Sequence, residues 1–176
     1  MDKYKILNQV DDDLVKEMIK LDNLVFKDDD IGSFDRCKEW LDANPDIYTV
    51  LLLNNKVIGY INFMRIKDEV YDLIKLGKLK DYELNKEHIL NFEKGKPLKC
   101  LLTSIVVKPE YQDTIAIIKL WKGFIKMIKS KNLSCPHIII DCVSDSGEKY
   151  VKKHLSAKYI TNSQNGKIYE GYIKQK

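Results

Sequence analysis

The pattern of apolar and polar positions is most regular between residues 101 and 143, where an apolar run, a turn, an amphipathic segment and a second apolar run follow one another. Leu101 to Val107 and Ile138 to Val143 are predicted as strands. Residues 114 to about 130 are predicted as a helix, because apolar side chains recur on one face and lysines on the other. Two strands joined by a helix run parallel, so this region predicts one βαβ unit.

The apolar pattern predicts further strands and helices on both sides of this unit. They are a strand at Tyr4 to Val10, a helix from Asp11-Asp12-Asp13 to about Phe26, a helix that Ser33 caps and Asn44-Pro45 ends, strands at Tyr48 to Leu53 and Val57 to Ile66, a helix at Gly147 to Leu155, and strands at Lys158 to Thr161 and Lys167 to Ile173. Asn54-Asn55 and Asn165-Gly166 are typical of tight hairpin turns. The first helix is expected to bury an apolar stripe that includes Leu21 and Leu24.

The length of 176 residues suits a single domain over residues 1–176 with a sizeable core. Within it, the charged segment from Lys67 to Lys99 contains short helical patterns at Glu69 to Leu76 and near Asn85 to Phe92. A segment of this length is too long for a plain connection between strands. It is therefore predicted as a lid or an insertion.

The composition is that of a soluble globular protein, with 44% hydrophobic and 32% charged residues. No apolar run approaches the roughly 18 residues that a membrane span needs, and the N-terminus opens without the apolar region of an export signal. The cysteines lie far apart in the sequence, at Cys37, Cys100, Cys135 and Cys142, which is typical of reduced thiols in a cytoplasm. We therefore expect a cytoplasmic protein without a membrane segment, a disulfide or a metal site.

Positive charge is concentrated in the C-terminal part of the chain. The net charge is +4, and residues 118–176 carry twelve lysines against four acidic residues. Such a surface favours an anionic ligand or nucleic acid. However, Arg36 and Arg65 are the only arginines in the sequence, and base recognition in nucleic acids relies on arginine. Association with nucleic acid is therefore the least favoured function.

The segment from Ser104 to Gln112, which reads Ser-Ile-Val-Val-Lys-Pro-Glu-Tyr-Gln, resembles motif A of the GNAT N-acetyltransferase superfamily. That motif binds the pyrophosphate of acetyl-CoA with a loop of the form Arg/Gln-x-x-Gly-x-Gly/Ala. The predicted order of strands and helices also resembles the order in this family. The resemblance implies an α/β GNAT-type fold with a mixed central sheet flanked by helices. It implies that the fourth and fifth strands are parallel and splay apart, and that residues 67–99 form an insertion between the third and fourth strands.

The resemblance also implies which residues would bind acetyl-CoA as a cosubstrate. The backbone of Ile105, Val106 and Val107 would pair with the pantetheine arm, and the pyrophosphate would lie at Gln112, Asp113, Thr114, Ile115, Ala116 and Ile117. Ile115 stands where the family has its central glycine, and Ile117 where it has glycine or alanine. Glycine allows the backbone to approach the phosphates closely, so we expect weak binding.

Two residues are candidates for proton transfer. The family's usual acid is a tyrosine on the helix after the fifth strand, and Tyr150 lies one position early in that pattern. A one-residue shift would place Val151 there instead and leave no acid. Asp141 is the candidate base, because burial in an apolar strand would raise its pKa. The alternatives are that Tyr150 is a packing residue and that Asp141 accepts hydrogen bonds from a neighbouring loop.

For the acceptor, the resemblance suggests the loop between the first two helices, which holds Asp28, Asp29 and Asp30. Three carboxylates would attract a cationic amine, although such a run is also typical of a solvated loop. The sequence therefore predicts an N-acetyltransferase that moves an acetyl group from acetyl-CoA to a small-molecule or peptide amine. The main alternative is a GNAT-fold protein that has lost catalysis and serves as a ligand-binding or interaction module.

Overall fold

The computed structural model describes residues 3–26 and 32–173. The strands are β1 (Tyr4–Leu7), β2 (Tyr48–Leu53), β3 (Lys56–Ile66), β4 (Ile89–Leu90), β5 (Pro97–Val107), β6 (Ser134–Cys142), β7 (Lys158–Asn162) and β8 (Lys167–Gly171). The helices are α1 (Asp12–Val25), α2 (Phe34–Ala43), α3 (Asp68–Lys75), α4 (Ile115–Ser130) and α5 (Asp145–Leu155). The strands and helices that the sequence predicted are present, with ends shifted by a few residues, except near Asn85 to Phe92, where the structure has a 3₁₀ turn and β4.

The strands form one mixed sheet in the order β1-β2-β3-β5-β6-β8-β7, and β4 pairs with β3. The strands predicted as fourth and fifth are β5 and β6, because the short β4 lies within the predicted insertion. β5 and β6 are parallel neighbours, and their pairing runs from Pro97 opposite Ser134 to Leu102 opposite Ile140. This pairing ends before the carboxyl end of either strand, as is expected of strands that splay apart. The predicted α/β class and the parallel pair are therefore confirmed.

Packing divides the chain into two compact units. The first unit comprises Met1–Asn62 and Ser104–Ser130, and the second comprises Phe63–Thr103 and Lys131–Lys176. The single domain expected from the chain length stays a prediction. No helix in residues 3–26 or 32–173 is both long enough and apolar enough to cross a membrane.

In the first unit, side-chain caps begin both N-terminal helices. Asp11 accepts a hydrogen bond from the Leu14 N–H at 2.9 Å, and Ser33 accepts one from the Arg36 N–H at 3.3 Å. The antiparallel strands β1, β2 and β3 pack with α4, in which a Cβ at Gly123 would lie 2.8 Å from the Ile6 side chain. Glycine at this position therefore lets the helix approach β1 closely.

In the second unit, the predicted insertion supplies α3, two single 3₁₀ turns and β4. Helix α3 contacts β6 and β8, and Gly77 lies two residues after its end with a φ of +68°, which favours glycine. Ser144 caps α5 by accepting a hydrogen bond from the Gly147 N–H at 3.1 Å. The hairpin between β7 and β8 closes through a Ser163 N–H bond to the Gly166 carbonyl at 3.0 Å. The turn predicted at Asn165-Gly166 is thus present.

Candidate functional site

In the first unit, the carboxyl end of β5 delivers the chain to the N-terminus of α4. The Lys108 N–H donates to the Ile58 carbonyl at 2.8 Å, which holds the end of β5 against β3. A 3₁₀ turn at Pro109–Tyr111 follows, and α4 begins at Ile115. The Gln112 side chain folds back and donates to the Val107 carbonyl at 3.0 Å. Of the three residues predicted to pair with pantetheine, Val107 therefore already uses its carbonyl within the protein.

The segment from Gln112 to Ile117 contains six backbone N–H groups, and half of them have partners. The N–H groups of Gln112 and Thr114 donate to the carbonyls of Pro109 and Tyr111 at 3.3 and 3.2 Å. The Ala116 N–H donates to the Thr114 hydroxyl at 3.2 Å. In the part of the chain that the structure describes, the N–H groups of Asp113, Ile115 and Ile117 have no such partner. They lie at a helix N-terminus, which attracts anions.

The side chain of Ile115, at the position where the resemblance expects glycine, projects into solvent and is 54% exposed. It therefore lies on the surface of the same turn that carries the available N–H groups. Ala116 points the other way and is fully buried. The side chain at this position is therefore an isoleucine on the surface of the turn, and the expectation of weak binding stays a prediction.

An open cavity of about 510 Å³ lies in the first unit beside the 3₁₀ turn that precedes α4. Leucines of α1 line it, together with three lysines, namely Lys20, Lys56 and Lys108. Lys108 also forms an ion pair with Glu110 at 2.5 Å. Tyr111, the residue before Gln112, belongs to the lining as well. The lining also includes the acidic Glu17, so the cavity carries charges of both signs.

In the second unit, Tyr150 lies on α5 with a half-buried ring. The ring centroid is 4.2 Å from that of His154, one helical turn later. Burial raises the pKa of the Tyr150 phenol, so the phenol stays protonated at neutral pH and can donate a proton. Val151, the alternative at this position, is buried in the core. If the alignment with the family is shifted by one residue, the position of the acid is therefore taken by a residue that packs in the core. The catalytic role of Tyr150 stays a prediction.

Asp141, the predicted base, lies on β6 and is half-buried. Its Oδ1 accepts a hydrogen bond from the Ser163 hydroxyl at 2.7 Å. A Cβ at Gly166 would come within 2.8 Å of the same oxygen, so the β7–β8 turn packs directly against this carboxylate. The hydrogen bond from Ser163 is the contact expected if Asp141 accepts hydrogen bonds from a neighbouring loop. Catalysis by Asp141 stays a prediction.

The first unit contains a buried carboxylate that the sequence did not single out. Asp22 lies in the last turn of α1 and is only 5% exposed. The Tyr60 hydroxyl of β3 donates to Asp22 Oδ1 at 2.5 Å, and the Gly32 N–H also donates to the Asp22 carboxylate. Burial raises the pKa of Asp22 to about 6, because it outweighs the opposing effect of these two hydrogen bonds. Asp22 can therefore exchange a proton near neutral pH.

A second hydroxyl extends this contact to β5. The Ser104 side chain, which is partly exposed, donates a hydrogen bond to the Tyr60 oxygen. Ser104, Tyr60 and Asp22 therefore form a continuous chain of hydrogen bonds from the edge of the protein to its interior. Ser104 immediately precedes Ile105, the first residue predicted to pair with pantetheine.

The sequence contained one sign of this buried acid. The predicted stripe of α1 included Leu24, yet Leu24 is 59% exposed, and the buried face consists of Val15, Met18, Leu21 and Asp22. The prediction that Leu24 belongs to the buried face of α1 was therefore wrong. Asp22 follows Met18 by four residues and Val15 by seven, which places it on the apolar face. A carboxylate at such a position is costly to bury and indicates a special role.

The expected acceptor loop cannot be compared with the prediction, because Asp28, Asp29 and Asp30 lie outside the described residues. In residues 3–26 and 32–173, no group of three or more histidine, cysteine or acidic side chains could hold a metal ion. All four cysteines are buried free thiols.

Comparison of the sequence with protein-family models and with curated proteins finds no match. Solved structures do match the fold. The NatC complex bound to Gag peptide and CoA matches with a TM-score of 0.65 at 13% identity, covering 99% of both chains. The PaiA N-acetyltransferase of Thermoplasma acidophilum in complex with coenzyme A matches with a TM-score of 0.60 at 14% identity, covering 97% of this chain and 99% of that one.

A third structure, the loading GNATL domain of CurA from Lyngbya majuscula, matches with a TM-score of 0.63 at 12% identity over 97% of this chain and 98% of that one. Likeness at this level of identity concerns the fold. The chain therefore has the GNAT fold, as the resemblance in residues 104–112 implied.

Proposed function

We propose that this protein is an N-acetyltransferase that moves the acetyl group of acetyl-CoA to an amine. The observation that carries the proposal is the junction of β5 and α4, where the N–H groups of Asp113, Ile115 and Ile117 are available at a helix N-terminus. This arrangement suits a pyrophosphate, because the N–H groups and the helix dipole both favour negative charge. The GNAT fold supports the same ligand.

In the proposed reaction, the amine attacks the carbonyl carbon of the acetyl group, and the bond between that carbon and sulfur breaks. The departing thiolate takes a proton from the Tyr150 hydroxyl. The Tyr150 phenol is protonated at neutral pH and can supply this proton, but burial raises its pKa above the ordinary value of about 10 and makes it a weaker acid than an ordinary tyrosine. The backbone of Ile105 and Val106 would hold the pantetheine arm, while Val107 bonds to Gln112 and contributes less.

Two solved structures with a similar fold contain peptide ligands, which supports a proposal about the class of acceptor. NatC was solved with a peptide and CoA, and Naa50 of Arabidopsis thaliana with a bisubstrate analogue of CoA and the peptide MVNAL. We propose a small-molecule or peptide amine as the acceptor here. Asp28, Asp29 and Asp30 are retained as the acceptor-binding residues in this proposal, because their charge favours a cation. We also propose a cytoplasmic location, which cell fractionation with an antibody against the protein would test.

A GNAT-fold module without catalysis is the second candidate, and two observations favour it. Ile115 places an exposed side chain on the turn that would hold the pyrophosphate, where the family has glycine, and the Gln112 side chain donates to the Val107 carbonyl. Both features lower the affinity for coenzyme A, which would then bind with a dissociation constant between micromolar and millimolar, or roughly 4 to 8 kcal/mol.

Calorimetric titration with acetyl-CoA tests the cosubstrate directly. We expect one molecule bound per chain in the micromolar to millimolar range. Ile115→Gly should tighten binding, because it opens the turn to the phosphates. Ile118→Gly is the matched control, since Ile118 is equally exposed on the same helix but lies outside the predicted loop. Absence of heat at millimolar acetyl-CoA would contradict the proposal.

Turnover separates the two candidate functions. Acetyl-CoA is incubated with spermidine, an aminoglycoside, a lysine peptide and peptides with free N-termini, and both free thiol and acetylated product are measured. An enzyme releases thiol in proportion to acetylated amine. Binding of acetyl-CoA without product from any of these amines would favour the non-catalytic module.

A further inference from the structure

We infer that Asp22 accepts the proton that the amine must lose during acetyl transfer, and that the proton reaches it through Ser104 and Tyr60. This inference rests on the proposed function and names residues for a step that Tyr150 does not perform. The acceptor amine is an ammonium ion at neutral pH, and it becomes nucleophilic only after it loses a proton. The Ser104–Tyr60–Asp22 relay supplies a destination for that proton within the first unit.

The orientation of the hydrogen bonds favours transfer toward Asp22. Ser104 donates to the Tyr60 oxygen, and Tyr60 donates to Asp22 Oδ1 at 2.5 Å. A proton that arrives at the Ser104 oxygen can therefore displace the Ser104 proton to Tyr60 and the Tyr60 proton to Asp22. The amine nitrogen loses one N–H bond and Asp22 gains one O–H bond. Both hydroxyls are restored, so atoms and charge balance.

The position of the relay fits this role. Ser104 is its partly exposed end and lies on β5 next to the residues proposed to hold pantetheine. Tyr60 and Asp22 are buried, which excludes water from the inner part of the chain. A proton can therefore enter at Ser104 and come to rest on a carboxylate that solvent does not reach.

The surroundings of Asp22 keep its proton affinity near neutrality. The groups that interact with it are Tyr60 of β3, Tyr48 of β2 and Cys37 of α2, all of which are neutral at pH 7, together with the Gly32 N–H. The ion pairs formed by the described residues do not include Asp22. Burial dominates as a result and raises the pKa of this carboxyl to about 6. Asp22 is thus ionised and ready to accept a proton at neutral pH.

The test is the pH dependence of turnover in the wild type and in two variants, with whichever amine of the panel supports transfer. In the wild type, turnover should rise with pH to a plateau above about pH 6, as Asp22 ionises. Asp22→Asn should lower turnover about 100-fold or more near pH 6.5. The loss should shrink toward about pH 10, where amines are deprotonated in solution and need no acceptor. Tyr60→Phe breaks the relay and should give the same pattern.

A purely structural role for Asp22 predicts a different result, because a distorted site lowers turnover by the same factor at every pH. Glu170→Gln is the matched control, since it alters another carboxylate that accepts a 2.5 Å bond from a tyrosine. It should leave the pH profile unchanged. A uniform loss in Asp22→Asn, or an unchanged profile, overturns the relay and leaves the proposed function standing. Failure of every amine to support transfer overturns both.

Discussion

Two carboxylates of this protein accept equally short hydrogen bonds from tyrosines but have opposite surroundings. In the first unit, Tyr60 donates to Asp22 at 2.5 Å, and Asp22 is buried among neutral groups. In the second unit, Tyr71 donates to Glu170 at 2.5 Å, and Lys75 bonds to both oxygens of Glu170 at 3.0 and 2.9 Å. The Glu170 side chain is 24% exposed.

The two carboxyls have a tyrosine donor in common, but Glu170 is less buried and also has a lysine partner, and these differences decide the direction of the pKa shift. Burial raises the pKa of both carboxyls, but in Glu170 the bonds from Tyr71 and Lys75 together outweigh burial and lower the pKa. In Asp22 burial prevails. Glu148 resembles Glu170, because Lys167 and then Tyr169 lower its pKa to about 2. Glu148 and Glu170, which have lysine partners, therefore stay ionised at neutral pH, whereas Asp22 can exchange a proton.

The largest expected effect concerns two tyrosines of the second unit. Tyr150→Phe removes the proposed acid while keeping the ring, so turnover should fall about 100-fold or more. Tyr71→Phe is the control. The Tyr71 hydroxyl donates to Glu170, so its removal should affect stability rather than turnover. Steady-state rates of thiol release provide the measurement. Undiminished turnover in a folded Tyr150→Phe protein would remove Tyr150 from the mechanism.

The next effect is on stability. The folded-state pKa of Asp22 lies above its unfolded value of 3.8, so its contribution is most favourable below pH 3.8 and is lost as the pH rises through about 6. Above pH 6 the buried carboxylate is ionised, which costs free energy of folding. Asp22→Asn removes this cost and should raise the free energy of unfolding by up to about 3 kcal/mol at pH 8, with little effect near pH 4. Urea denaturation at the two pH values measures it. A destabilised variant at pH 8 would contradict the account.

Glu170→Gln should have a smaller effect of the opposite sign. The pKa of Glu170 is lowered on folding, so its contribution to stability is present above its unfolded value of 4.5 and is lost as the pH falls. Loss of the charge weakens the bonds from Tyr71 and Lys75 and should cost about 1 kcal/mol at pH 8. The same denaturation series measures this cost. If Glu170→Gln stabilised the protein at pH 8, the two carboxylates would not differ as described.

Features set by neighbouring residues in the sequence could be predicted. The caps at Asp11 and Ser33, the Asn54-Asn55 turn and the βαβ unit all depend on contacts close along the chain. By contrast, β5 begins at Pro97 rather than at Leu101, because Lys99 interrupts the apolar run. The Lys99 side chain forms an ion pair with Asp72 of α3 at 3.3 Å, a contact that no local pattern reveals.

The candidate site also has one part that the sequence predicted and one part that it did not. The resemblance at Ser104 to Gln112 identified the junction of β5 and α4, because the motif is contiguous in sequence. Asp22 was missed, since its partner Tyr60 lies 38 residues away on a strand of the sheet. The period of α1 alone could not tell whether Asp22 or Leu24 faced the core, because Asp22 neighbours Met18 and Leu24 neighbours Leu21 on the helix surface.

The measurement that tests the contrast most directly is the titration of both carboxyl groups by NMR, with carbon-13 at the aspartate and glutamate carboxyls. The Asp22→Asn and Glu170→Gln spectra assign the two signals, and the titration needs no acceptor. We expect the Asp22 signal to titrate at about pH 6 and the Glu170 signal below 4.5. An Asp22 midpoint at or below 3.8 would show that this carboxyl does not exchange a proton near neutral pH, and it would contradict the proposed relay.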